Sequence, residues 1–520
     1  MIRSLAACLV SICAVAYAAD CDALAKISLP HTTIKSAETV AAGSFKQPNG
    51  RAMANLPAFC RVAGTLAPSA DSDIQFEVWL PSSGWNGKFY GIGNGGFAGS
   101  IDYAGLGAAV RRGYAAAATD TGHSGSQVDA RWALNHPEKI TDFGYRAIHE
   151  TAETGKAMVK AYYGDPAKRA YFNSCSNGGR QALMEAQRFP GDYDGIVAGA
   201  PANDWTHLLI TALWDVNAMD GDAYIPAKKI PAIENAVLAA CDALDGLKDG
   251  VIDDPRRCHF QPSTLLCQGA ETDACLTKAQ AGALEKIYSG PKNAKGQQVF
   301  PGFSPGGEGE FEGWAAWVSG ARPGTSLQYL FGMGFFRNML FNDPAWDYHK
   351  FNVDHDLKLA DDSLAPVLNA TNPDLKKFKD RGGKLIVYHG WSDAAIPPLS
   401  SIHYYQSVVS KMGAKNAAGF VRLFMVPGMQ HCGGGPGPND FGQEVAAAGD
   451  PSRDLGPALE RWVEQGTAPD RLVATKYKGT GPASGVARTR PLCAYPRVAK
   501  WNGSGSPDDA ANFTCAEPPR

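Results

Sequence analysis

Tyr171-Phe-Asn-Ser-Cys-Ser-Asn-Gly-Gly-Arg180 sets Ser176 at the tip of a small-x-Ser-x-small turn, with Ser174 two residues before it and Gly178 two after. The apolar stretch from Ala170 to Asn173 reads as a strand, and Gly179 to Arg188 reads as a helix. A strand-to-helix elbow of this kind exposes the serine hydroxyl. It also aims backbone N–H groups at a developing oxyanion, that of Asn177 first. Cys175 directly precedes the serine, and far downstream His431 is followed at once by Cys432. A disulfide between Cys175 and Cys432 would set a histidine beside the serine by covalent means.

A serine hydroxyl is a weak nucleophile until a base takes its proton, and the base needs an acid on its far nitrogen. Chain order supplies both. The strand-like Lys384-Leu-Ile-Val-Tyr388 runs into His389-Gly-Trp-Ser-Asp393, and Val421-Arg-Leu-Phe-Met-Val426 runs into Pro427-Gly-Met-Gln-His431. Ser176, Asp393 and His431 therefore each follow a strand, in the order used by α/β-hydrolases. His389, only four residues before the acid, is expected to make a structural hydrogen bond instead, and Asp440 belongs to a solvated Gly/Pro loop. The second oxyanion donor is expected from Gly91-Ile-Gly-Asn-Gly-Gly-Phe-Ala-Gly99, at Gly96 with Gly95 next in line, because close backbone approach needs residues without Cβ. That run lacks the GxGxxG spacing and the following helix of a dinucleotide loop.

Further strands are predicted at Ile74–Leu80, Lys88–Ile92, Tyr114–Ala118 and Gly195–Ala198, with a helix within Gly144–Tyr163. Alternating strands and helices predict an α/β fold with a mainly parallel sheet covered on both faces. From 205 to 380 the texture turns rich in Gly, Pro, Trp and Phe and loses that alternation. This stretch is expected to be a large inserted lid domain, leaving the core in two parts, 19–204 and 381–520.

The 520 residues, 44% hydrophobic and 19% charged, are enough for one large domain with an insertion. A net charge of −3 without long charge runs gives no reason to expect nucleic acid or an anionic membrane surface as partner. Arg3, an apolar run from Leu5 to Val15, and Ala16-Tyr-Ala18 read as a secretory signal over 1–18, its run too short to span a bilayer. Leu5-Ala-Ala-Cys8 stands too near the N-terminus for a lipidation signal. Cleavage removes Cys8 and Cys13 and leaves ten cysteines, an even number that favours five disulfides in a secreted or periplasmic chain.

Over nearly the whole mature chain the sequence resembles the tannase and feruloyl esterase family, which includes a terephthalate half-ester hydrolase. The resemblance rests on Cys175-Ser-Asn-Gly-Gly179, Phe189-Pro-Gly-Asp-Tyr-Asp-Gly-Ile-Val-Ala-Gly-Ala-Pro-Ala202, His389-Gly-Trp-Ser-Asp393 and Pro427-Gly-Met-Gln-His-Cys432. It implies an α/β-hydrolase core, a lid over the active site and the Cys175–Cys432 bridge. It also implies the pairs Cys21–Cys60, Cys241–Cys258, Cys267–Cys275 and Cys493–Cys515. Within the lid, Asp242, Asp245 and Asp249 with the carbonyls of Leu247 and Val251 form either a cation loop of oxygen ligands or a solvated Asp/Gly turn. The resemblance implies structural Ca2+ there, and no organic cofactor.

The same resemblance implies esters of an aromatic acid as substrates. Phe311 to Trp346 holds the aromatic surface for a flat ring, in Trp314, Trp317, Tyr329, Phe331, Phe335, Phe336, Phe341 and Trp346, although most of these must be core. Arg322 and Arg337 are expected in ordinary ion pairs rather than on a substrate carboxylate. The expectation is a secreted serine carboxylesterase of feruloyl type, free of membrane insertion. A tannase or a terephthalate half-ester hydrolase is the alternative activity. From another class, the alternative is a non-catalytic, calcium-stabilised phenolic- or carbohydrate-binding protein.

Overall fold

The computed structural model describes residues 20–311, 313–443 and 450–518; the expected signal segment, 1–18, lies outside the described residues. Nine strands form one sheet: β1 (Thr32–Val40), β2 (Phe59–Leu66), β3 (Ile74–Pro81), β4 (Lys88–Ile92), β5 (Ala115–Thr119), β6 (Arg169–Cys175), β7 (Gly195–Gly199), β8 (Lys384–Gly390) and β9 (Val421–Val426). Their spatial order is β1-β2-β3-β5-β4-β6-β7-β8-β9. The pairs β1/β2, β2/β3 and β3/β5 are antiparallel, and every pair from β5/β4 to β8/β9 is parallel. All seven strands read from the sequence are present, with ends shifted by at most two residues. β1 and β2 are additional. β1 is an edge strand whose alternation is interrupted by a register shift between Ile34 and Ser36, and β2 buries Phe59, Cys60, Val62, Gly64 and Leu66.

Period-2 alternation splits the sheet's apolar side chains between two cores. Leu385 and Val387 of β8 join Phe89, Phe172 and Ile196 against helices α2 (Ala147–Tyr163), α3 (Asn177–Arg188) and α8 (Leu399–Met412). Ile386 and Tyr388 join Tyr90, Tyr171 and Val197 against α1 (Tyr103–Arg111) and α9 (Leu455–Gln465) on the opposite face. Each large side chain buried this way contributes roughly 1.5–3 kcal/mol. The helix expected from Gly144 starts at Ala147, because Asp142–Arg146 forms a wider π-helical turn before it.

Between Gly199 and Lys384 the described chain adds no strand to this sheet. Helices α4 (Trp205–Ala218), α5 (Ile230–Cys241), α6 (Lys278–Ser289) and α7 (Leu327–Phe335) carry it across the C-terminal end of the strands. Trp205, Leu209, Phe335 and Phe336 pack with Phe97 and Phe143 from the sheet side, so this segment is joined to the core by a shared apolar cluster. A second cluster, around Val237, Leu284, Ile287 and Trp314, reaches Ala394 beside the candidate acid.

Candidate active site

Ser176 sits between β6 and α3 with φ 66° and ψ −127°, a conformation that non-glycine residues rarely adopt and that costs about 1–3 kcal/mol. Three backbone bonds hold it: its N–H donates to the Gly199 carbonyl at 2.9 Å, and its own carbonyl accepts from the N–H groups of Arg180 and Ala202, both at 3.1 Å. A Cβ at Gly178 would strike the Ser174 side chain, and one at Gly179 would strike the Gly199 carbonyl. The sharpness of the turn thus dictates the small residues on both sides of the serine.

Arg180, one turn into α3, is completely buried, and among the described residues it has no carboxylate partner. Its guanidinium donates to the carbonyls of Phe143, Gly144 and Leu368 and to Asn177 Oδ1, which fixes the first residue of the helix. Burial lowers its pKa to about 9. Nothing in the sequence singled this residue out, since only the tertiary fold reveals that its acceptors are main-chain carbonyls from distant segments.

His431 Nε2 lies 2.9 Å from Ser176 Oγ, and His431 Nδ1 lies 2.8 Å from Asp393 Oδ2. The carboxylate fixes the tautomer: Nδ1–H donates to it, which leaves Nε2 to accept from the serine hydroxyl. Asp393 is buried and takes four donors, adding Ala395 N–H, Ile396 N–H and His389 Nε2–H to His431. Burial alone would raise its pKa, but the charges and hydrogen bonds of His431 and His389 outweigh burial and hold it well below the carboxylate range. His389, whose Nδ1 accepts from the Ser401 hydroxyl at 2.7 Å, is therefore more than a turn residue. It is a second donor to the same carboxylate oxygen.

Cys175 and Cys432 are disulfide-bonded with Cα atoms 5.9 Å apart, which joins the serine turn to the histidine loop. The four other bridges expected from the resemblance are also present, Cys21–Cys60, Cys241–Cys258, Cys267–Cys275 and Cys493–Cys515.

A narrow, mainly apolar slot opens above Ser176 and His431, walled by Trp205, Leu208, Trp317, Phe331 and Ile396. Of the eight aromatics read between Phe311 and Trp346, Trp317 and Phe331 reach it; they stack at 5.8 Å, and Trp317 meets the His431 ring edge-on at 5.5 Å. Gly96, Ser176 and Asn177 share the slot, whereas Gly95 lines a cavity on the other side of the glycine run. Gly96 has φ 53°, and a Cβ there would collide with the Gln127 carbonyl. Among the described residues, no lysine or arginine lines the slot. Arg337 instead donates to the Trp346 carbonyl, and Arg322 lies exposed in a turn closed on Thr325.

The acidic loop after α5 wraps tightly. Asp242 accepts from the N–H groups of Asp249 and Gly250, Asp245 from that of Leu247, and Asp249 from that of Val251. Gly246 and Gly250 take positive φ at its turns. Asp249 also binds Arg488 at 3.0 Å and Arg490 at 2.6 Å, so these three acids do not converge as a closed cage. Asp245 Oδ2 is buried without a partner, and burial raises the Asp245 pKa. The loop's carboxylate oxygens, the buried and unpaired Asp245 Oδ2 among them, are of the hard type that Ca2+ takes, so the residues fit that cation in kind.

A family model for tannase and feruloyl esterase matches residues 60–516. The chain belongs to that family. Its relatives include an uncharacterized esterase of Xanthomonas campestris pv. campestris, 46% identical over 100% of this chain and 95% of the relative. The mono(2-hydroxyethyl) terephthalate hydrolase of Piscinibacter sakaiensis is 36% identical over 92% of this chain and 88% of its own length. Among solved structures, feruloyl esterase B of Aspergillus oryzae superposes with a TM-score of 0.88 at 31% identity, covering 96% of this chain and 100% of that one. The chain thus has the α/β-hydrolase fold of this family and is a carboxylic ester hydrolase, which sets aside the non-catalytic binding protein.

Proposed function

We propose that the protein is an exported serine carboxylesterase acting on hydroxycinnamate-type aromatic esters. The observation that carries this reading is the unbroken chain Ser176–His431–Asp393 at the floor of an apolar slot. Ser176 Oγ attacks the ester carbonyl while His431 Nε2 takes its proton, and Asp393 stabilises the imidazolium. The N–H groups of Asn177 and Gly96 receive the oxyanion. Collapse of the tetrahedral intermediate expels the alcohol, which takes the proton from His431 and leaves an acyl-serine. Water, deprotonated by His431, then attacks the acyl carbon and frees the acid and Ser176. Five disulfides support export.

The slot's polarity selects the acyl group. Gln328 lines it, buried, with Nε2 donating to Asp215 at 3.1 Å and Oε1 without a partner. The unpaired Gln328 acceptor, on a slot that also carries the unpaired Trp205 Nε1 and Asn177 Nδ2 donors, suits a neutral acyl group with a phenolic hydroxyl. A terephthalate carboxylate would lie there without a counter-charge. Initial rates on methyl ferulate, methyl gallate and the terephthalate half-ester test this: the highest kcat/KM is expected on ferulate, and a clear preference for either other ester would replace the substrate assignment. Ca2+, held by Asp242, Asp245, Asp249 and the carbonyls of Leu247 and Val251, would supply positive charge that neutralises the loop and rigidifies it.

A further inference from the structure

Helix α4 stands between two cavities. Its Trp205, Leu208 and Ala212 line the slot above Ser176, whereas Asp204 and His207 line a second cavity of about 360 Å³. Phe300 and Pro301 form one wall of this cavity, and Ser400 and Tyr404 of α8 form another. Three buried side chains on it carry an oxygen without a hydrogen-bond partner: Asn203 Oδ1, Ser400 Oγ and the Tyr404 hydroxyl, on residues only 3%, 6% and 4% exposed. Of the other polar groups on the cavity, His207 is engaged with the Val299 carbonyl and Asp361, and the Ser407 hydroxyl with the Tyr404 carbonyl, while His403 and Thr371 also line it. Buried polar groups are normally paired with protein or with ordered solvent, so three unpaired oxygens on one cavity mark a place built for polar contents.

The surroundings define those contents. His207 lies between Asp361, at 3.1 Å, and Asp204, at 4.0 Å, so its imidazole offsets only one of two carboxylates and leaves no excess positive charge to hold an anion. Among the described residues, no lysine or arginine lines the cavity. Two hydroxyls that both donate and accept, beside an amide oxygen that only accepts, complement a ligand with several hydroxyls of its own. The apolar wall of Phe300 and Pro301 suits the C–H face of a ring. We propose that this cavity binds a neutral polyhydroxylated ring, a sugar unit, at a site separated from the ester slot by α4. A free monosaccharide and one unit of a polysaccharide chain offer the same hydroxyls.

Isothermal titration of the full chain with D-xylose, L-arabinose and xylotriose, in the presence of ferulic acid to fill the ester slot, tests the site. Saturable binding with Kd on the order of 1 mM is expected for at least one of them. The Ser400→Ala/Tyr404→Phe variant should weaken it at least about tenfold while leaving the melting curve and aryl-ester turnover unchanged. Should that pair unfold the chain, Tyr404→Phe alone is read in the same way. Tighter binding of xylotriose than of xylose assigns the site to a polymer chain, and equal affinity assigns it to a free sugar. Absence of saturable binding to all three, or an affinity unchanged in the variant, overturns the proposal and leaves water as the only occupant.

Discussion

Asp393 gathers two histidines and two backbone N–H groups around one buried carboxylate, and that convergence fixes the His431 ring. Asp393→Asn keeps the shape but cannot hold His431 in the tautomer that accepts from Ser176, so kcat should fall roughly four orders of magnitude with little change in KM. Steady-state kinetics on an aryl ester checks this. Arg180→Met should cost about 3 kcal/mol in chemical denaturation, because four acceptors lose a charged donor inside the core. His207 carries a pH signature: burial opposes its charge, but the hydrogen bond to Asp361 and the charge of Asp204 raise its pKa to about 9. A raised folded pKa stabilises fully below the ordinary value near 6.5, and the benefit is lost as pH rises through 9, on the order of 3 kcal/mol. Melting temperatures across that window should fall more steeply for the native chain than for His207→Gln.

At the scale of elements, the elbow between β6 and α3 and the loop after β9 are joined by Cys175–Cys432. Replacing both cysteines by alanine should leave the circular dichroism spectrum intact yet lower kcat by at least tenfold, since misplacing a catalytic group by about 1 Å costs roughly 10²-fold. Unchanged kcat would remove the positioning role of the bridge. Residue spacing made these elements legible: three strands each ending in one member of the Ser, Asp, His series, and small residues flanking Ser176. Arg180, the second donor His389 and the pairing of Gln328 with Asp215 were not legible, because each depends on partners brought close by the fold. β1 was missed for a local reason, an irregular edge strand with little alternation to detect. The eight lid aromatics show the same limit. Composition revealed a surplus of rings, but packing alone decides that Trp317 and Phe331 face the slot while Phe335 and Phe336 are core.

For the molecule as a whole, the segment between β7 and β8 closes the slot and is tied to the C-terminal residues through Asp249, which both Arg488 and Arg490 bind. If the acidic loop holds Ca2+ as proposed, a chelator should lower the melting temperature, with about 2.7 kcal/mol at stake when calcium stands at a hundred times its Kd. Calorimetry with and without added calcium reads this, and identical curves would remove calcium from the account. No helix among the described residues is long and apolar enough to cross a membrane. The central claim is that this fold delivers one activated serine to the slot. Mass spectrometry after treatment with an aryl phosphonate tests it most directly: a single adduct on Ser176 is predicted, with hydrolysis lost in proportion and no adduct on a folded Ser176→Ala variant. A chain that stays unlabelled, or a Ser176→Ala variant that still turns over aryl esters, would contradict it.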